Sequence, residues 1–344
     1  MALLCDKYRP TNLSRLDYGQ DQGQMLKNLI KGGDFPHLMI YGPSGSGKKT
    51  RISCLLREIF GSSVEKLKIQ HQVIETPAKK KIEVKTISSN YHIEINPSDA
   101  GFDDRVVISE LIKSHASTQL LHSEDGVSPL KVVVVSEADK LTKEAQQALR
   151  RTMEKYSGTC RLILSAELSC RIIPAIKSRT LMVRVAAPNY DSIAKIVMNV
   201  AKEEGFHLPQ DTAKQIATTS RRNLRRALMM TETMFVQKSD SPSLPRWQIF
   251  VKELASKMME KQTNYGVEEI RAGLYQLQAH LIPSEMIFEL LVRELLSNPK
   301  LSQEAKIATI NLAAFYENRC RMGNKPIIHL ESFVAQFMVV SKTY

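Results

Sequence analysis

The chain has almost none of the features that mark a metal-stapled, secreted or membrane protein. Its five cysteines are Cys5, Cys54, Cys160, Cys170 and Cys320, and no two form a C-x-x-C pair. A zinc site is therefore not expected. An odd, scattered set fits reduced thiols in a cytosolic or nuclear compartment. Cys54 lies in an apolar helical stretch and reads as a small core residue. The eight histidines show no metal-ligand spacing. No run of about eighteen apolar residues occurs, so no membrane span is expected. The opening MALLCDKYRP lacks the basic start and apolar centre of a secretory leader. There is no internal repeat and no low-complexity tract.

What is present is an ordinary globular composition, 43% hydrophobic and 24% charged, over 344 residues. That length suits two or three domains. Acidic side chains are in deficit, 36 against 48 Lys and Arg, leaving a net charge of +12. The excess is clustered, as in PAKKKIEVK and SRRNLRRAL. A polyanionic partner is one reading of this, and a solvated basic surface is the other. Lys79, Lys80 and Lys81 read as a nuclear-import or nucleic-acid patch, or as an exposed hairpin tip.

HLMIY, ending at Tyr41, is a short apolar run entering a glycine-rich turn, and KKTRISCLLREIF follows with helical spacing. KKKIEVKTI and YHIEINP alternate like strands of a hairpin. KVVVV, Lys131 to Val135, is apolar throughout and fits a central parallel strand. TKEAQQALRRTMEKY reads as a helix capped by Thr142, and CRLILSAE as another buried strand. The expected fold class is α/β: a P-loop domain with a parallel sheet over residues 1–185, a small helical domain over 186–236, a Ser/Pro linker over 237–247, and an all-helical domain over 248–344.

YGPSGSGKKT carries the strongest chemical signal. Gly42, Gly47 and Lys48 fit the phosphate-loop pattern, in which G-x-x-x-x-G-K is followed by Ser or Thr. Gly42, Pro43, Ser44, Gly45, Ser46 and Gly47 would turn backbone N–H groups onto phosphate. A helix beginning near Lys48 adds its positive end, and Lys48 itself adds a cation. A plain Gly/Ser turn is the weaker alternative. One position departs from the pattern. Lys49 stands where a hydroxyl would ligate Mg²⁺, and an ammonium has no lone pair to offer. Thr50 is one residue late, a rotation of roughly 100° around the helix.

A second metal position is altered as well. The strand KVVVV ends in Ser136 and Glu137, where P-loop ATPases place an Asp for Mg²⁺ and often a Glu for the attacking water. Serine is a weak Mg²⁺ ligand. Glu137 stays a candidate base of a degenerate site, and Asp139 a candidate cap. Two altered metal positions predict nucleotide binding, ATP or ADP, with Mg²⁺ weak or absent and hydrolysis weak or absent. Arg179, in KSRT, is either a structural arginine or a finger acting on a neighbour's phosphates. Arg221, Arg222, Arg225 and Arg226 lie on a helix or its entry. The pairs Arg222/Arg226 and Arg221/Arg225 are expected to share faces, solvated or reaching phosphate.

Taken together, DKYRP, PHLMIYGPSGSGKKT, EINPSDAG, EADKLTKEAQQALRRTMEKY and CRLIL resemble the small subunits of replication factor C, the eukaryotic sliding-clamp loader of the AAA+ class. The resemblance spans essentially the whole chain and is strongest to the subunit at the end of the five-membered ring. It implies that Cys5 and Arg9 line an adenine pocket. Arg179 would act in trans, although Thr180 replaces the family's Cys. Arg225 would be the lid-domain sensor arginine, although Arg222 replaces the small residue expected before the Asn. Glu167 stands where a sensor Asn is usual and would repel a γ-phosphate. The resemblance further implies DNA-binding residues at Arg105, Lys113, Arg150 and Arg151. It implies a C-terminal collar, a hetero-pentamer with the other subunits, a sliding clamp (PCNA), primer–template DNA, and a nuclear site of action. Its rivals are a competent DNA-dependent ATPase rescued by Thr50 or Ser136, and a stand-alone AAA+ remodeller.

Overall fold

The computed structural model describes residues 3–31, 34–75, 81–117, 131–239, 241–260, 262–323 and 325–343. Lys79 and Lys80 lie outside them, and Lys81 opens a strand with its side chain exposed. The chain divides into two compact units, Met1–Pro242 and Ser243–Tyr344. The division falls within the Ser/Pro-rich stretch.

In the first unit, seven strands form one sheet: β1 (Leu38–Tyr41), β2 (Lys68–Glu75), β3 (Lys81–Ser88), β4 (His92–Ile95), β5 (Lys131–Val135), β6 (Cys160–Ala166) and β7 (Leu181–Arg184), in the order β2-β3-β4-β5-β6-β1-β7. From β4 to β7 all neighbours are parallel. β3 joins β4 antiparallel, as the expected hairpin, and β2 extends the ribbon antiparallel to β3. The sheet is thus mixed. β2 is absent from the sequence reading because its segment KIQHQVIE is largely polar. Ile69 and Val73 are exposed on it and only Ile74 reaches the core, so it lacks the alternating buried face that makes a strand legible.

The helices of this unit are α1 (Leu4–Lys7), α2 (Gln20–Ile30), α3 (Lys48–Phe60), α4 (Asp104–Ser117), α5 (Lys143–Lys155), α6 (Pro174–Lys177), α7 (Tyr190–Glu203), α8 (Gln210–Thr219) and α9 (Leu224–Gln237). β5 explains the layering. All five of its residues are buried, and successive side chains leave opposite faces. Val133 and Val135 pack with Ile108, Ile112 and Leu149 from α4 and α5. Val132 and Val134 pack with Leu26, Ile52 and Leu55 from α2 and α3. A parallel strand covered by helices on both sides must be apolar throughout, which is why KVVVV is legible.

Thr142 caps α5, its hydroxyl accepting from the Ala145 N–H at 3.2 Å. A third apolar cluster joins α7, α8 and α9 through Ile193, Val197, Ile216, Ala227 and Met234. Leu4 from α1 is buried in that cluster, with Tyr8 and Tyr18 against it. The N-terminal segment is therefore tied to the helical cluster as well as to the sheet.

The second unit consists of α10 (Arg246–Glu260), α11 (Asn264–Ala279), α12 (Ser284–Ser297), α13 (Gln303–Met322) and α14 (Pro326–Thr343). One core built around Leu254, Leu274, Phe288, Leu291, Phe333 and Phe337 holds it together. No helix among the described residues is long and apolar enough to cross a membrane.

Candidate nucleotide site

The site lies beyond the carboxyl ends of the parallel strands, beside β1, where open α/β sheets place ligands. β1 runs into Gly42, which passes so close to the carbonyl of Val185 that a Cβ would overlap it. Gly45 has φ 72°, and a Cβ there would overlap the side-chain amide of Asn223. Asn223 also caps α9, its Oδ1 accepting from the Arg226 N–H at 3.0 Å. The loop therefore touches the mouth of the helical cluster directly. α3 begins at Lys48, immediately after Gly47 in left-handed geometry.

One buried cation holds the loop in shape, and the sequence reading did not single it out. Arg51 is 1% exposed on α3. Its guanidinium donates to the Ser46 carbonyl at 3.3 Å and the Tyr18 carbonyl at 2.9 Å. It also stacks on the Tyr18 ring, 4.6 Å from the centroid. The Tyr18 hydroxyl donates to the same Ser46 carbonyl. A charge so deep is tolerable only because carbonyls and a ring face surround it. The local signal was an arginine inside an apolar helical run.

Lys48 donates to the Gly42 carbonyl at 2.7 Å and the Pro43 carbonyl at 3.0 Å. Burial pushes its ammonium below the ordinary lysine range, while Glu167 and Asp139 oppose the shift and Arg225 adds to it. Two cavities open on the loop. One, of about 940 Å³, is lined by Ser44, Gly45, Lys48, Lys49, Glu94, Ser136, Glu137, Glu167 and Arg225. The other, of about 230 Å³, is lined by Cys5, Tyr8, Arg9, Pro10, Gly45, Thr50, Ile196 and Arg225. The expected residues Cys5, Arg9, Gly45, Gly47, Lys48, Thr50 and Arg225 thus come together. Gly42, Pro43 and Ser46 shape the loop from behind, with Ser46 only 1% exposed. Arg9 is ion-paired to Asp6 at 2.7 Å.

The two metal positions are occupied by groups unsuited to a divalent ion. Lys49 Nζ lies 2.7 Å from Oε1 of Glu94 on β4. Ser136 Oγ donates to the same oxygen at 3.1 Å. The carboxylate beside both positions is thus already paired with an ammonium, whose charge opposes a divalent ion there. No cluster of three or more His, Cys, Asp or Glu able to hold a metal exists among the described residues. Glu94 escaped the sequence reading because a strand carboxylate carries no motif.

The remaining candidates divide. Glu137, with φ 53°, ion-pairs with Lys140 at 2.9 Å. The Asp139 carboxylate accepts from the Glu167 and Leu168 N–H groups at 3.2 and 3.3 Å, so it fastens the turn after β5 to the end of β6. Arg179 pairs with Glu154 of α5 at 2.7 Å and donates to the Ala175 carbonyl at 2.9 Å. Arg105 and Lys113 are exposed on α4, and Arg150 and Arg151 on the adjacent α5. Arg105 pairs with Glu144 at 3.7 Å, and Arg150 with Glu154 at 3.7 Å.

The expected face-sharing of Arg221/Arg225 and Arg222/Arg226 is not realised. Arg221 and Arg222 are left-handed turn residues with φ 54° and 65°, and α9 starts only at Leu224. Helical spacing needs helical backbone at both positions. Arg222 instead donates to the carbonyls of Ala187 and Pro188 at 2.7 and 2.9 Å.

A P-loop unit on a mixed sheet, parallel around the loop, and a three-helix cluster that the loop meets define a nucleotide-binding protein of the AAA+ class. Family profiles match successive stretches of the chain. They are "DNA polymerase III, delta subunit" over residues 19–189, "RCF1/5-like, AAA+ ATPase lid domain" over 195–236, and "Replication factor C subunit 3, C-terminal domain" over 247–344. Replication factor C subunit 3 of Mus musculus is 49% identical over 349 residues, covering 100% of this chain and 97% of its own length. The Homo sapiens protein of that name matches to the same extent. Probable replication factor C subunit 3 of Dictyostelium discoideum is 45% identical, covering 99% of each chain. A RuvB structure from Thermotoga maritima shares the fold, with TM-score 0.50 at 15% identity over 77% of this chain and 85% of that one. The chain belongs to the replication factor C subunit 3 family.

Proposed function

We propose that this chain is a small subunit of a hetero-pentameric clamp loader that opens the sliding clamp PCNA and loads it onto primer–template DNA in the nucleus. Its own site binds ATP or ADP and hydrolyses little. Gly42 to Thr50 hold the phosphates, with Arg225 approaching from the helical cluster, and Cys5 and Arg9 border the base. Arg179 reaches the nucleotide of a neighbouring subunit. Arg105, Lys113, Arg150 and Arg151, together on α4 and α5, meet DNA phosphates without reading sequence. Residues 1–185, 186–236 and 248–344 serve as nucleotide-binding domain, lid and collar.

One observation carries this reading. The phosphate cradle is complete, while Lys49 and Ser136, at the two metal positions, are both bonded to Glu94. The rival in which Thr50 or Ser136 restores the metal is disfavoured by the same geometry, since the Lys49 ammonium beside Glu94 repels a divalent ion there.

The test is a reconstituted complex carrying single substitutions in this subunit only, assayed for DNA-stimulated phosphate release. Lys48→Ala is expected to leave turnover within about twofold of wild type. Arg179→Ala is expected to lower turnover at the neighbouring site by about 10³-fold, the scale of a lost arginine finger. A large fall with Lys48→Ala alone would make this chain a competent ATPase and defeat the proposal.

A further inference from the structure

The side chains at both metal positions converge on one carboxylate. Lys49 Nζ is 2.7 Å from Oε1 of Glu94, and Ser136 Oγ donates to that oxygen at 3.1 Å. Glu94 is held on β4, inside the sheet and next to β5, with its side chain only 18% exposed. The Lys49 side chain is 51% exposed and lines the large cavity with Ser44, Gly45 and Lys48. It is also in the first turn of α3, where the backbone already favours anions. A half-exposed ammonium anchored at this spot has a use beyond a surface ion pair.

We infer that Lys49 is a resident monovalent cation that takes the place of a divalent ion as counter-charge to bound nucleotide, so that this chain binds nucleoside polyphosphate independently of Mg²⁺. The inference rests on the nucleotide-binding reading above. An ammonium carries three N–H donors and needs only one for Glu94. The others are free to turn to phosphate oxygens in charge-assisted bonds. Being part of the chain, it adds no association cost of its own, unlike a free ion. A divalent ion entering the same place would meet a like charge and find Glu94 already paired. Glu94 is thus a positioning residue: it holds Lys49 beside the cradle and makes no phosphate contact.

The experiment is titration of the full-length chain with a fluorescent ATP analogue, in Mg²⁺ and in EDTA. The wild-type Kd is expected to agree within about twofold between the two buffers. Lys49→Thr supplies the missing hydroxyl and removes the ammonium. In EDTA it should weaken binding by about tenfold or more, on the scale of a charge-assisted hydrogen bond, with most of the loss recovered in Mg²⁺. Lys49→Met should lose the same affinity and recover none of it. Unchanged circular dichroism and thermal midpoint show that each variant is folded. Saturable wild-type binding that weakens tenfold or more in EDTA overturns this inference and leaves the nucleotide reading standing. So does a Lys49→Thr variant as indifferent to Mg²⁺ as wild type. No saturable binding in either buffer overturns both.

Discussion

The guanidinium of Arg179 lies 2.7 Å from Oε1 of Glu154, across from the end of α6 to α5. Both side chains are substantially exposed, at 38% and 47%. Exposed pairs of this kind contribute up to about 1 kcal/mol. Arg179→Ala should therefore shift the unfolding free energy of the isolated chain by no more than about 1 kcal/mol in urea titration. A loss above about 3 kcal/mol would assign Arg179 to stability rather than to a neighbour's phosphates.

Arg51 should behave in the opposite way. Arg51→Met leaves the Tyr18 carbonyl without this donor, at about 1–3 kcal/mol for the unsatisfied group, and leaves the Ser46 carbonyl with only the Tyr18 hydroxyl. The phosphate loop also loses its brace, so affinity for a fluorescent nucleotide should fall together with stability. Tyr18→Phe removes the hydroxyl that donates to Ser46 and accepts from Arg51 at 3.4 Å, keeps the ring under the guanidinium, and should cost about 1 kcal/mol. Equal stability of wild type and Arg51→Met in denaturant titration would refute the brace.

Asp104, 1% exposed at the start of α4, accepts from the Thr142 N–H at 2.8 Å and the Thr142 hydroxyl at 2.9 Å. One carboxylate thus fixes the beginning of α5 against α4. Asp104→Ala should destabilise by about 2–3 kcal/mol, since two half-buried donors lose a charged acceptor. Thr142→Ala removes the cap and the hydroxyl bond to Asp104 but keeps the N–H bond, and should cost about 1–1.5 kcal/mol. The difference between the two is measurable by equilibrium unfolding.

The pH profile follows from buried neutral groups. Burial, assisted by Lys131 and His92, holds His115 down at about 4, from an ordinary 6.5. Burial lowers His37 and His92 in the same direction. The folded state therefore favours neutral imidazole. This stability is complete above pH 6.5 and is lost as pH falls from 6.5 toward 4. Replacing His115 with Phe should flatten the acid limb of the stability curve. At the alkaline end, burial raises the Cys54 and Cys160 thiols from 9.0 to about 11. That contribution is complete below pH 9 and is lost as pH rises toward 11. A thiol-disulfide reagent at pH 8 should label exposed Cys170 and spare Cys54 and Cys160 until denaturant is added.

Much of the first unit was legible because its signals are local. The loop from Gly42 to Lys48, the apolar strand KVVVV and the Thr142 cap each depend on neighbours within one element. Short-range spacing therefore carries their geometry. The helical periods of the second unit were readable for the same reason. β2 was not legible, because an exposed ribbon needs no apolar face. Arg221 and Arg222 were misplaced because spacing presumes a helix that starts only at Leu224.

By itself the amino-acid order settled that Lys49 and Ser136 stand where metal helpers are usual, since position in a motif is a property of the chain. Only tertiary folding decided what those residues do, by bringing Glu94 from a strand near the middle of the sheet to within hydrogen-bonding distance of both. The same applies to the packing of Arg51 on Tyr18 and of Arg179 on Glu154. Pairings across long stretches of chain are fixed by packing and electrostatics in three dimensions, and leave no period or spacing in the sequence from which to read them.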